Sequence, residues 1–116
     1  RSAGLEVNAP GIRTRGLPRD AGRMKLVWKM RTNRTGSCNV FWGDTIDRQY
    51  APERRVSVSI AGTGAWNNYS VEFESKNPLY AIRMDFGAGT APADIESIQL
   101  FNGQNEMIAN WNFKTE

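Results

Sequence analysis

The chain has 116 residues, 40% hydrophobic and 23% charged, enough for one domain with a core of its own. Its net charge of +3 comes from 15 basic and 12 acidic residues. The arginines are scattered through predicted loops, so no nucleic-acid partner is expected. With no histidine and a single cysteine, Ser-His-Asp and Cys-His catalysis, histidine-ligated zinc and an internal disulfide are all excluded.

No apolar run approaches a membrane span, and no membrane partner is expected. The sequence opens on Arg-Ser and is expected to be one domain, residues 1–116, excised from a longer protein. Cys38 has no histidine to activate it and reads as a small buried hydrophobe.

Residues 1–23 read as a loop-rich lead-in. Pro10-Gly11, Gly16, Pro18 and Ala21-Gly22 break any long element, with one short strand at 5–7. The first long strand is 25–31, where Leu26, Trp28 and Met30 alternate with Val27, Lys29 and Arg31. Residues 33–37 form a turn, and 38–42 form a strand with Val40 and Trp42 opposite Phe41. Periodicity leaves open which of those two faces is the core.

A polar loop over 43–54 carries Asp44, Asp47, Arg48, Tyr50 and Pro52. Val56, Val58 and Ile60 then alternate with Ser57 and Ser59 in a half-exposed strand. Another strand spans 68–73, with Tyr69, Val71 and Phe73 inward. Residues 79–101 read as strand, turn, strand, a hairpin-like unit. In its first half Tyr80, Ile82, Met84 and Phe86 share one side, and Leu79, Ala81, Arg83 and Asp85 the other. A closing strand covers 107–113. Seven or eight short strands without a helical period predict an antiparallel β-sandwich or barrel.

Without histidine, the candidates for acid–base chemistry are Asp44, Asp47, Glu72, Asp85, Asp94 and Glu96, and no spacing brings two of them together. The glycine-rich 87–92 turn lacks the Gly-Lys-Ser/Thr ending of a phosphate loop. Aromatic residues are more informative, because sugar rings pack on indole and phenol faces while their hydroxyls seek polar partners. Trp28 is assigned to the core, and Trp66 and Trp111 to partly buried anchors. Trp42 borders the polar loop and is the candidate platform, with Tyr50 beside it and core packing as the competing role for Trp42. Lys29, Arg31, Arg83 and Asp85 point away from the apolar sets. If their strands are neighbours, they form either a cross-strand charge ladder or a polar groove for hydroxyls, carboxylates or sulfates.

Phe41-Trp42, Trp66 with Tyr69 and Val71, Ile82-Arg83 with Asp85, Ala91-Pro92, and Ile95 with Ile98 together form a pattern. It resembles the galactose-binding-like jelly-roll modules found beside sulfatases, glycoside hydrolases and polysaccharide lyases in secreted bacterial proteins. The resemblance covers roughly residues 24–113. It implies an all-β, antiparallel two-sheet jelly-roll sandwich, extracellular or periplasmic, and a non-catalytic accessory module that binds carbohydrate. The expected ligand-binding residues are Arg31, Trp42, Tyr50, Arg83 and Asp85, acting on a polysaccharide, neutral or anionic, for an attached parent enzyme. No cofactor is expected; a structural calcium is compatible with the sequence but not identifiable in it. The competing reading is a structural domain that docks on its parent enzyme.

Overall fold

The computed structural model describes residues 5–8, 11–15, 21–44, 46, 52–86 and 93–112. Its strands are β1 (Leu5–Asn8), β2 (Gly11–Arg15), β3 (Gly22–Thr32), β4 (Gly36–Asp44), β5 (Arg55–Ile60), β6 (Asn67–Ser75), β7 (Leu79–Phe86), β8 (Ala93–Phe101) and β9 (Met107–Asn112). They form two antiparallel sheets, a five-stranded one in the order β1-β2-β7-β4-β5 and a four-stranded one in the order β6-β3-β8-β9. The expected all-β two-layer sandwich is the observed one.

Two expectations need correction. Gly11–Arg15, expected within the loop-rich lead-in, is strand β2, paired with β1 on one side and β7 on the other. Its glycine and its five-residue length hide it locally; the partner β7 lies some seventy residues downstream. Residues 79–101 are not a hairpin. β7 is flanked by β2 and β4, and β8 by β3 and β9, so the two strands belong to different sheets. The turn 87–92 lies outside the described residues.

The core lies between the layers. Met24, Leu26, Trp28 and Met30 of β3, Cys38, Val40 and Trp42 of β4, and Ile82, Met84 and Phe86 of β7 are all buried, as the strand period of two requires. Trp28 stacks on Tyr69 with ring centroids 5.8 Å apart. Cys38 is buried as expected.

Three register shifts interrupt the described ladders, and two of them, in β8 and β7, reset the alternation where the sequence departs from it. In β8, Lys29 pairs with Ser97 but Met30 pairs with Ile95, leaving Glu96 as an extra residue. An unbroken strand would send Ile95 and Ile98 to opposite faces; the bulge lets both pack on the core. In β7, Gly43 pairs with Ala81 and Asp44 with Leu79, leaving Tyr80 extra. Leu79 therefore shares the core with Ile82, against the expected alternation, while Tyr80 is only half-buried.

Candidate functional site

The parity of β4 decides what its aromatic residues do. Trp42 is 6% exposed and stacks on Phe73 with centroids 4.4 Å apart, and its backbone N–H and C=O both bond to Arg54. It is a core residue, which corrects its assignment as the ligand platform. Its neighbour Phe41 faces outward. Polar Ser37 and Asn39 share the parity of Phe41, and that signal in the sequence would have identified the outward set.

Phe41 lies between Arg83 of β7 and Arg55 of β5 in the ladder, and Asn39 lies between Asp85 and Ser57. Directly opposed side chains on a sheet sit about 4.5–5.5 Å apart. The Arg83 guanidinium lies 4.6 Å from the Phe41 ring centroid, and its Nη2 donates to Asp85 Oδ2 at 2.9 Å. Ser57 Oγ donates to Asn39 Oδ1. Arg55 is exposed and forms no ion pair among the described residues. The outer face of the five-stranded sheet thus combines an aromatic ring, two guanidinium groups, a carboxylate and short hydroxyl and amide side chains.

Among the described residues, only Arg83 and Asp85 of the sequence-predicted set meet here. Arg31 lies on the outer face of the other sheet, because β3 and β7 belong to different layers. Packed sheets are about 10 Å apart, so Arg31 and Arg83 share no groove. Tyr50 lies outside the described residues. The outward charges of the four-stranded sheet are matched among themselves: Arg23 with Glu72 at 2.7 Å, Lys29 with Glu96 at 3.4 Å and Arg31 with Asp94 at 2.8 Å. Lys25 lies over the Phe101 ring at 5.4 Å. That pairing is the expected cross-strand ladder, with Asp94 as the partner of Arg31 in place of Asp85 or Glu72.

Of the acidic candidates for acid–base chemistry, Asp85 lies on β7 and Asp94 and Glu96 lie on β8, in opposite sheets. Among the described residues, no three His, Cys, Asp or Glu side chains gather as a metal site. The Cys38 thiol is pushed up to about 12, first by burial and then by the negative charge of Asp85, so it stays a neutral packing group.

No protein-family profile matches the sequence, and no curated protein does. Solved structures do match. The ligand-free BiXyn10A CBM1 superposes with a TM-score of 0.52 at 15% identity, over 79% of this chain and 63% of that one. The C-terminal CBM6 of LamC, a marine laminarinase from Zobellia galactanivorans, gives a TM-score of 0.60 at 14% identity, over 79% of this chain and 72% of that one. The ligand-free PbXyn10C CBM gives 0.59 at 19% identity, over 97% and 71%. This chain therefore spans just under two thirds of the first of these modules and somewhat more of the other two. What they share with it at such identities is the backbone architecture: this chain has the two-sheet jelly-roll fold of carbohydrate-binding modules.

Proposed function

We propose that this chain is a non-catalytic carbohydrate-binding module whose ligand lies across the outer face of the five-stranded sheet. The observation that carries the reading is Phe41 with the Arg83 guanidinium against its ring, set among Asn39, Ser57, Asp85 and Arg55. A sugar presents apolar C–H faces and a rim of hydroxyls, and this surface offers a flat aromatic group with donors and acceptors around it. Two arginines flank Phe41 and only Arg83 has a described carboxylate partner, which favours a polysaccharide bearing carboxylates or sulfates. Modules of the same fold belong to xylanases and a laminarinase, which supports an accessory role outside the cytoplasm, tethered to a parent enzyme. The reading needs no cofactor.

Affinity electrophoresis in gels containing xylan, laminarin, polygalacturonate or carrageenan tests it. At least one polysaccharide, with the anionic ones foremost, is expected to retard the wild type and not Phe41→Ala. A folded wild type retarded by none of them overturns the reading.

A further inference from the structure

The four tryptophans are not equivalent. Trp28, Trp42 and Trp111 are 1%, 6% and 5% exposed, whereas Trp66 is 38% exposed. It stands just before β6, at one end of the four-stranded sheet, with the Arg31 guanidinium 4.6 Å from its ring. Arg31 Nε and Nη2 donate at 3.3 and 2.8 Å to a single oxygen, Asp94 Oδ2. The other oxygen, Asp94 Oδ1, accepts no bond from the described residues, and the Asp94 side chain is 65% exposed.

This corner is held by its backbone. Gly64 N–H donates to Thr32 O at 2.8 Å, and Gly62 N–H to Thr35 Oγ1 at 3.1 Å. Gly62 lies so close to the β3–β4 turn that a Cβ there would stand 2.2 Å from Arg34 C. Asn67 Nδ2 donates to Thr63 Oγ1 and Ala65 O, and Ala61 N–H donates to the Tyr69 hydroxyl. The β8 bulge at Glu96 brings Asp94 opposite Arg31. The aromatic ring, the donor and the free acceptor are thus positioned before any ligand arrives, which lowers the ordering cost of binding.

From this arrangement we infer a second ligand site, Trp66–Arg31–Asp94, that takes a single neutral sugar residue with adjacent hydroxyls. The ring of such a sugar packs on the exposed part of the Trp66 indole. One hydroxyl donates to Asp94 Oδ1, and the next accepts from the Arg31 guanidinium. One exposed indole accommodates one sugar ring. The charges of Arg31 and Asp94 cancel, so the site selects a neutral glycoside, unlike the arginine-flanked Phe41 face. It lies on the other sheet and does not depend on the Phe41 face binding anything.

The test is titration of the full chain with methyl β-D-glucopyranoside, methyl β-D-galactopyranoside, methyl β-D-xylopyranoside and D-glucuronate. Tryptophan emission and the Trp66 indole N–H resonance are the two readouts. At least one neutral glycoside is expected to move both signals, and glucuronate is expected to bind more weakly. The response should persist in Phe41→Ala, which separates this site from the sheet face. Asp94→Asn should weaken it about tenfold, the scale of a lost hydrogen bond to a charged group. A Trp66 resonance unmoved by every glycoside up to about 100 mM, where millimolar binding saturates, overturns the inference. So does a folded Asp94→Asn variant with undiminished affinity. The wild-type resonance decides the matter even if a variant fails to fold.

Discussion

Phe41 and Trp42 are neighbours in sequence and lie on opposite sides of the same sheet. Trp42 stacks on Phe73 in the core, while Phe41 meets the Arg83 guanidinium on the outer face. One step along β4 separates a core residue from the residue proposed to bind the ligand. Substituting each in turn is the most direct comparison this fold allows. Trp42→Ala should cost about 3–5 kcal/mol in denaturant unfolding, the range for deleting a large buried aromatic. Phe41→Ala should leave the unfolding midpoint nearly unchanged and lose retardation in polysaccharide gels. Equal destabilisation by both would contradict the parity of β4.

Arg55 and Arg83 predict how the Phe41 face responds to salt. Arg55 forms no ion pair among the described residues, so Arg55→Ala should leave stability within about 0.5 kcal/mol of wild type. Binding to an anionic polysaccharide should weaken as ionic strength rises from about 0.01 to 0.15 M, over which the Debye length falls from about 30 to 8 Å. The Arg55→Ala variant should show a shallower slope. A slope identical to wild type would remove Arg55 from the ligand's path.

The bulge at Glu96 separates the effect of a side chain from that of a backbone position. Glu96→Ala keeps the extra residue and loses only a partly exposed pair with Lys29, worth about 0–1 kcal/mol. Deleting Glu96 leaves Ile95 and Ile98 two positions apart, so an unbroken strand keeps both on the core face in the same register. Unfolding in urea should place the deletion close to the substitution, and a deletion far less stable would show that the bulged backbone itself is required. The deletion should also keep Asp94 opposite Arg31.

Gly62 is required for a different reason. Its position, not its torsion, admits no side chain, since a Cβ would stand 2.2 Å from both Arg34 C and Thr35 N. Gly62→Ala should destabilise by about 1–3 kcal/mol, as overpacking does, through separation of the 61–66 and 33–35 loops. The emission of exposed Trp66 should shift red in the same variant. An unshifted spectrum with wild-type stability would show that the two loops part freely.

Cys38 gives a pH prediction with a definite sign. Its folded-state value is raised from 9.0 to about 12, because burial and Asp85 disfavour the thiolate. The folded chain therefore binds the proton more tightly than the unfolded one. Stability from this group is complete below about pH 9 and is lost progressively as pH rises from there towards 12. A Cys38→Ala variant should lack that part of the alkaline decline. In wild type at pH 8, a thiol reagent such as DTNB should label only as fast as the chain opens. Rapid labelling of the folded chain would contradict the burial of the thiol.

The residues themselves specified the layers. Val56-Val58-Ile60 and Ile82-Met84-Phe86 alternate with polar residues, and Leu26-Trp28-Met30 with Val27, Lys29 and Arg31; a half-buried strand is the structure that satisfies such alternation. The all-β sandwich, the buried Cys38 and the core role of Trp28 were legible for that reason. Alternation has two phases, however, and in Cys38–Trp42 each phase carries an aromatic residue; Ser37 and Asn39 mark the Phe41 phase as polar, and the opposite sheet, by covering the other phase, buries Trp42. The sheet to which each strand belongs was beyond local reading, because pairing depends on partners distant in sequence. That pairing put Arg31 with Asp94 and Trp66, and Arg83 with Asp85 and Phe41, on opposite sides of the molecule. Side-chain periodicity is a local property that the chain carries with it, whereas the company each outward residue keeps is set by long-range hydrogen-bonded register, which exists only once the two sheets have formed.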